Sequence, residues 1–304
     1  MIGCADASGG DIFSKKKQQM RIDVGGARLF VDIEGAGLVA EGARMREKPT
    51  LILLHGGPGL DHTIYKPAFS RLADVAQIIY VDHRGNGRSD DGDPALWTLD
   101  QWGDDVDALC RVLGIEKPIV YGASFGGMVA QAYATRHPDK VGGLILAHTA
   151  ARVDFEEMFA TFLRLGGPGA EAAARAYWTG PTPERRLAYR DACVPLYSLK
   201  GVDPDLWRRT IIKDPVALHF NSAQRGLGQM DFRAALARVT CPVLVLSGRR
   251  DPVMPHAFAE IIAASLTAAP VTSHVFEDAA HMPDIDAPDA FFALLRTFIQ
   301  GVTP

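Results

Sequence analysis

The sequence predicts an α/β fold with a mostly parallel central sheet, helices on both faces and a helical cap insertion. Short, apolar, β-branched runs alternate with amphipathic segments of helical length, at the spacing typical of βα units. The alternation stops over residues 151–235, where Ala-rich helical pieces, prolines and aromatic residues accumulate. One strand-like run also ends directly in a glycine-bracketed serine, and a helix-forming run follows it.

The length of 304 residues fits one large α/β domain that carries an insertion. We expect a flexible N-terminal tail over residues 1–20, a core formed by residues 21–150 and 236–304, and a helical cap, or lid, over residues 151–235. The hydrophobic fraction of 47% and the charged fraction of 22% are typical of a soluble globular protein.

Charge, cysteine usage and hydropathy limit the possible partners. The net charge of −4 gives no indication of a nucleic-acid partner. The four cysteines form no C-x-x-C pair, which argues against a zinc site or a disulfide framework and favours a reducing compartment. No apolar run reaches the ~18 residues of a membrane span. We therefore expect a cytoplasmic protein, monomer or homodimer, that acts on a small molecule without cofactor or metal and binds neither nucleic acid nor membrane.

The first part of the chain predicts a hairpin followed by two strands of the parallel sheet. Residues 21–35 alternate in polarity around Gly25 and Gly26, which is a hairpin signal. Residues 36–49 are rich in glycine, alanine and charge, and we interpret them as a connection. The next elements are an unbroken apolar strand over 50–54, a helix over 63–72 and a strand over 77–81.

The second part predicts four more βα elements. Residues 99–113 place Trp102, Val106 and Leu109 at helical spacing, which predicts an amphipathic helix. The remaining predicted elements are the strand that ends at the bracketed serine and the helix after it, strands over 141–146, 243–246 and 273–276, and helices around 258–266 and over 289–299.

The candidate nucleophile is Ser124, which stands in Gly122-Ala-Ser-Phe-Gly126. Small residues two positions before and after such a serine allow a strained strand-to-helix turn that lifts the hydroxyl out of the sheet. A serine hydroxyl also needs a base to take its proton, and the base needs a third group to orient it.

Two later residues are the candidates for these roles. Asp251 follows the strand-like run over 243–246, and His281 lies on a loop between the last predicted strand and the last helix. Of the nine histidines, His281 is the one placed to return to the serine. The tetrahedral intermediate needs two backbone N–H donors. We expect one from Phe125 and the other from Gly57 or Gly56, with Gly57 favoured.

These motifs resemble the α/β-hydrolase superfamily and, within it, the proline iminopeptidase-like serine hydrolases (peptidase family S33-like). The most specific segments are His55-Gly-Gly-Pro-Gly59 and Asp82-His-Arg-Gly-Asn-Gly-Arg-Ser89, and the resemblance covers about residues 25–150 and 236–300. It implies an α/β-hydrolase fold with a Ser124–His281–Asp251 triad. It also implies that Asp82, Arg84 and Arg88 are structural residues that brace the active-site loops.

The sequence departs from proline iminopeptidases in two respects. These enzymes usually have tryptophan after the nucleophile, where this chain has Phe125, and their cap glutamates hold the free amino group of the substrate. We expect the acidic residues of this cap to be mostly solvated and its aromatic residues mostly to pack within the cap. The predicted function is a serine hydrolase that cleaves a small-molecule amide or ester through an acyl-enzyme, with a carboxylesterase or lactonase without aminopeptidase activity as the alternative. A non-hydrolytic enzyme and a ligand receptor on the same scaffold are further alternatives.

Overall fold

The computed structural model describes residues 20–302. The predicted tail therefore lies outside the described residues, apart from Met20, which begins the first strand. Ten strands are found in this part of the chain, and they run as follows: β1 Met20–Asp23, β2 Arg28–Glu34, β3 Leu38–Glu41, β4 Arg44–Glu47, β5 Thr50–Leu54, β6 Gln77–Val81, β7 Ile119–Ala123, β8 Gly143–Ala147, β9 Val243–Gly248 and β10 Val271–Phe276.

Eight of these strands form one sheet in the order β1-β2-β6-β5-β7-β8-β9-β10. The six strands from β6 to β10 pair in parallel, and the β1–β2 hairpin adds two antiparallel strands at one edge. The β5–β7 pairing matches Leu54 with Gly122, so the loops that follow these two strands leave the same edge of the sheet side by side. The prediction of a mostly parallel sheet is confirmed.

Helices cover both faces of the sheet because each buried strand sends alternate side chains to opposite sides. In β5, Ile52 and Leu54 join one apolar cluster, whereas Leu51 and Leu53 join the other. The first cluster includes side chains from α1 (Leu99–Leu113), α2 (Phe125–Arg136) and α9 (His256–Ser265). The second includes side chains from the last helix, α11 (Pro288–Gly301).

Between β8 and β9 the described chain contains helices and no strand. These helices are α3 Phe155–Thr179, α4 Pro183–Cys193, α5 Pro204–Arg209, α6 Asp214–Phe220, α7 Gly226–Gln229 and α8 Arg233–Leu236, and a short α10, Pro283–Asp286, lies later in the core. Helix α3 changes direction at Gly167, where φ is +76°, directly before Pro168. Helices α3 to α8 lie in the part of the sequence where the predicted alternation of strands and helices stops. The boundaries of the helical insertion as a separate domain stay a prediction.

Two local predictions were wrong. Residues 36–49, expected to be a plain connection, form the β3–β4 hairpin, which turns at Gly42 in the left-handed region. The helix expected over 63–72 is instead two 3₁₀ helices, His62–Tyr65 and Ala68–Leu72. Pro67 separates them, since proline has no N–H to donate within a helix. The other predicted elements begin and end within a few residues of the observed ones.

Candidate active site

Ser124 occupies the turn between β7 and α2 at the centre of the sheet. Its φ of 54° and ψ of −120° are rare for a residue with a side chain, and such strain persists only where the surroundings enforce it. The Ser124 N–H donates to the carbonyl of Ala147 over 3.0 Å, and the Ser124 carbonyl accepts from the Thr149 hydroxyl over 2.7 Å. Strand β8 and the loop after it therefore hold the turn in this conformation.

The glycines around Ser124 are required because backbone passes very close to them. A Cβ on Gly122 would lie 2.2 Å from the carbonyl oxygen of Gly126, and a Cβ on Gly126 would lie 1.9 Å from that of Leu54. Both distances are far below any real contact. A side chain at Gly122 would push the first turn of α2 away from β7, and one at Gly126 would push that turn away from β5, so the G-x-S-x-G spacing has a direct steric cause.

The structure brings Asp251 and His281 together. The Asp251 Oδ2 lies 2.7 Å from the His281 Nδ1, and both side chains are buried. The Asp251 Oδ1 accepts hydrogen bonds from the N–H groups of Val253 and Met254 at 2.9 and 2.8 Å. These bonds fix the carboxylate, and the carboxylate in turn orients the imidazole with its other nitrogen free to face the cavity.

The loop that carries His281 is anchored by Asp286. This carboxylate accepts from the Ala280 N–H at 2.8 Å, from the Ser198 hydroxyl at 2.7 Å and from the Leu199 N–H at 2.8 Å. Ser198 and Leu199 belong to the helical insertion, whereas Ala280 directly precedes His281. One buried carboxylate therefore joins the histidine loop to the insertion.

The two predicted N–H donors of an oxyanion site lie next to Ser124 on the same edge of the sheet. In the hydrogen bonding of residues 20–302, neither the Phe125 N–H nor the Gly57 N–H is used by another protein group. The His55 Nδ1 lies 2.7 Å from the Gly56 carbonyl, which holds that peptide in place. Because the C=O and N–H of one trans peptide point in opposite directions, this contact turns the Gly57 N–H away from His55.

The Asp82–Ser89 segment braces this loop, as the resemblance implied. Asp82 accepts from the His62 N–H at 2.8 Å and from the Arg88 N–H at 2.8 Å. The Asn86 side-chain oxygen accepts from the Gly59 N–H at 2.6 Å. Arg84 is fully buried and forms a two-pronged ion pair with Asp105 of α1, with contacts of 2.6 and 2.9 Å. These bonds attach the loop after β5 to the loop after β6.

A cavity of about 930 Å³ lies above Ser124 and His281, between the sheet edge and the helical insertion. Most of the cap aromatic residues line it, contrary to the expectation that they mainly pack within the cap; those that line it are Tyr177, Trp178, Tyr189, Tyr197, Trp207 and Phe220. Phe155, Phe159 and Phe162 do not line the cavity. The wall is thus mainly apolar and aromatic, as is typical of small-molecule sites.

Three residues of the site were missed in the sequence. The Tyr197 ring lies 4.8 Å from the His281 ring and the His148 ring 5.0 Å from it, both edge-on, so the two flank the imidazole. Burial, followed by the neighbouring His281, holds the pKa of His148 well below its ordinary value. The third is Asp284, three residues after His281, which lines the same cavity. The sequence signal that could have identified Asp284 is an acidic residue within the otherwise apolar stretch Met282–Ile285.

Asp284 should make stability depend on pH. Burial raises the pKa of its carboxyl from 3.8 to about 6; the backbone N–H groups of its own turn and His281 oppose this effect, and Asp286 adds to it. Because the folded state holds this proton more strongly than the unfolded state, its contribution to stability is present at low pH and is lost as pH rises from about 4 to 6. Asp284→Asn should therefore gain about 1–2 kcal/mol relative to wild type between pH 4.5 and pH 8. Urea unfolding at both pH values measures this.

The matched control for that experiment is Asp289→Asn. Its carboxylate lies on the surface, 91% exposed, and pairs with Arg71. This variant should follow the wild type at both pH values. An Asp284→Asn difference that is the same at pH 4.5 and pH 8 would contradict the prediction.

No helix within residues 20–302 combines the length and apolar character needed to cross a lipid bilayer. The cytoplasmic location itself stays a prediction.

A protein-family model described as alpha/beta hydrolase fold matches residues 49–288. A proline iminopeptidase from Pestalotiopsis fici is 40% identical over 131 residues, which cover 42% of this chain and 46% of that protein. A putative carbamate hydrolase from Caulobacter is 27% identical over 262 residues, covering 82% of this chain and 90% of the relative.

Solved structures agree on the fold. A proline iminopeptidase from Mycobacterium smegmatis superposes with a TM-score of 0.74 at 23% identity, covering 93% of this chain and 98% of the other. Curated relatives at similar identity include a 3-oxoadipate enol-lactonase from Acinetobacter baylyi, 25% identical over 84% of this chain and 91% of that protein. Because the family model spans most of the sequence, the chain belongs to the α/β-hydrolase family and is an enzyme of the hydrolase class.

Proposed function

We propose that this protein is a serine hydrolase that cleaves an amide or ester of a small molecule through an acyl-enzyme. The observation that carries the proposal is the 2.7 Å contact between Asp251 and His281, on the wall of a cavity that Ser124 also lines. The strained turn at Ser124 supports it, because it presents the hydroxyl at the edge of the sheet.

In the proposed reaction the Ser124 Oγ attacks the substrate carbonyl carbon while its proton passes to His281. The N–H groups of Phe125 and Gly57 receive the negative charge that develops on the oxygen. The C–N or C–O bond then breaks, and His281 gives the proton to the departing amine or alcohol. Water, deprotonated by His281, then attacks the acyl carbon. The ester bond to the Ser124 Oγ breaks, His281 returns the proton to that oxygen, and the acid leaves. Asp251 keeps the imidazole in one tautomer and stabilises its cation.

Within this class we propose a proline iminopeptidase-like activity, the removal of an N-terminal residue that carries a free amino group. The Pestalotiopsis fici relative bears that name and is 40% identical over the 131 residues that match, which are 46% of its own length. The loops after β5 and β6 carry the His55–Gly59 and Asp82–Ser89 motifs and are joined by hydrogen bonds. These motifs support the same assignment.

An esterase or lactonase is the second candidate, and the cap favours it. The acids of the insertion are engaged with neighbours or solvent: Glu156 pairs with Arg175 at 2.8 Å, and Asp205 pairs with Arg208 at 2.7 Å. Asp214 lines the cavity but pairs with Arg186 at 2.7 Å. Among the described residues Asp214 is the one carboxylate of the insertion that lines the cavity, so a substrate ammonium would find no unpaired carboxylate on the cap side of the wall.

A comparison of chromogenic substrates separates the two candidates. We expect release of p-nitroaniline from proline p-nitroanilide, and loss of that release when the proline nitrogen is acetylated. Cleavage of p-nitrophenyl acetate and butyrate without any cleavage of the proline amide would contradict the aminopeptidase and establish the second candidate. The Ser124→Ala variant provides the blank for each substrate.

A further inference from the structure

The charged groups that line the cavity differ in whether they have an ion-pair partner. On the cap side, Arg186 pairs with Asp214 over 2.7 Å, and Arg208 pairs with Asp205 over 2.7 Å. The third cap arginine of the wall, Arg190, lies 3.6 Å from the carboxylate of its neighbour Asp191. On the core side, Asp284 forms no ion pair with any residue in the range 20–302.

Asp284 is partly buried in the cavity wall and has no counter-ion among the described residues. It lies on α10, beside the loop of His281, and its charge acts on the buried hydroxyls of Tyr65 and Tyr121. The Tyr65 hydroxyl already donates its proton to the Leu54 carbonyl over 2.9 Å. A carboxylate in such a position is unfavourable by itself, since a desolvated charge is stable only with a partner.

The neighbouring acid makes the contrast plain. Asp286, two residues later, receives hydrogen bonds from Ala280, Ser198 and Leu199 and has a clear structural role. The Asp284 carboxyl interacts only with N–H groups of its own turn, those of Asp284 and Ile285, and connects no other segment of the described chain. The raised pKa of its carboxyl, to about 6, still leaves it mostly ionised at neutral pH. The cavity therefore carries one uncompensated negative charge, within the same pocket as Ser124 and His281.

We propose that Asp284 is the binding site for a positively charged amino group of the substrate. The inference rests on the proposed hydrolase function and names the substrate class: a carbonyl compound that carries a primary or secondary ammonium close to the bond that is cleaved. The ammonium supplies the missing counter-charge, and the aromatic wall holds the apolar remainder of the molecule. The recognising carboxylate thus comes from the core, directly after the histidine loop, and not from the cap.

A metal ion is a poor alternative occupant, because Ca²⁺ and Mg²⁺ need several oxygen ligands and the described residues around the cavity supply one free carboxylate. A second alternative is that Asp284 only stabilises the protonated His281. That role would affect charged and neutral substrates equally and would give no preference for amines.

Direct binding tests the proposal independently of turnover. Calorimetric titration at pH 8 compares benzylamine, which is cationic, with benzyl alcohol, which has nearly the same shape and no charge. Wild type should bind benzylamine more tightly, and Asp284→Asn should weaken that binding about 10–100-fold while leaving benzyl alcohol unchanged. The surface variant Asp289→Asn should behave as wild type. Equal affinity of wild type for both ligands, or unchanged benzylamine binding by a folded Asp284→Asn variant, would overturn the proposal.

Kinetics with a substrate pair separate this proposal from the proposed function. Proline p-nitroanilide and its cyclopentane analogue differ by the ring nitrogen alone. Asp284→Asn should lower kcat/KM for the proline compound about 10–100-fold and leave the analogue unaffected. An equal fall in kcat/KM for both compounds would mean that Asp284 acts by stabilising His281, and this result would overturn the proposed subsite. Benzylamine binding that depends on Asp284, in a protein that cleaves neither anilide, would refute the aminopeptidase and leave the subsite standing.

Discussion

Replacement of Ser124 by alanine is expected to reduce turnover of every substrate by at least about 10⁴-fold. The variant lacks the oxygen that forms the acyl-enzyme in the proposed reaction, whereas the remaining groups of the site stay in place. The turn that holds residue 124 depends on Gly122, Gly126 and the hydrogen bond from Thr149 to the backbone carbonyl of Ser124. None of these involves the serine hydroxyl, so the fold should survive. Steady-state kinetics and a thermal melt of the same preparation measure both quantities.

The matched control is Ser265→Ala. Its hydroxyl donates only to the Ile261 carbonyl on the exposed surface of α9, so the same atom is removed far from the cavity. This variant should keep wild-type kinetics. Labelling by a fluorophosphonate should disappear in Ser124→Ala and persist in the control. A folded Ser124→Ala protein that still turns over substrate would contradict the assignment of the nucleophile.

Replacement of Asp105 by alanine is expected to cost about 3–5 kcal/mol of stability, because it leaves the guanidinium of Arg84 buried without a counter-charge. Arg84 is fully buried, and the two side chains meet through two hydrogen bonds of 2.6 and 2.9 Å. The Arg84 carbonyl also accepts from the Trp102 indole at 3.0 Å, so the pair ties α1 to the loop after β6. Urea unfolding at pH 7 measures the change.

Asp100→Ala is the control on the same helix. Asp100 is 71% exposed and pairs with Arg136 at 3.1 Å, and such surface pairs contribute less than about 1 kcal/mol. Asp105→Asn, which keeps the shape and loses the charge, should fall between the two. If Asp105→Ala unfolds at the same urea concentration as Asp100→Ala, the pair does not brace this loop as described.

Local sequence predicted those features whose causes are local. The G-x-S-x-G turn is an example, because backbone crowding at Gly122 and Gly126 excludes any other residue and so leaves a readable pattern. The amphipathic helix over 99–113 is another: its apolar face is periodic, Thr98 caps its start and Gly114, at a φ of 66°, ends it. The parallel sheet followed from the alternation of apolar runs and helical segments.

Long-range packing decided the rest. The order of the residues along the chain indicated Asp251 and His281 as candidates. Only the fold brings the Asp251 Oδ2 to within 2.7 Å of the His281 Nδ1, although the two residues are 30 positions apart in the chain. The β3–β4 hairpin and the cap aromatics that turn toward the cavity carried no distinct local signal, since both depend on contacts between distant segments. The same holds for the two acids after His281. Asp286 and Asp284 look alike in the sequence. Only the tertiary structure gives Asp286 four hydrogen-bond donors and leaves Asp284 facing the cavity without a counter-ion, because electrostatic partners are determined by proximity in space.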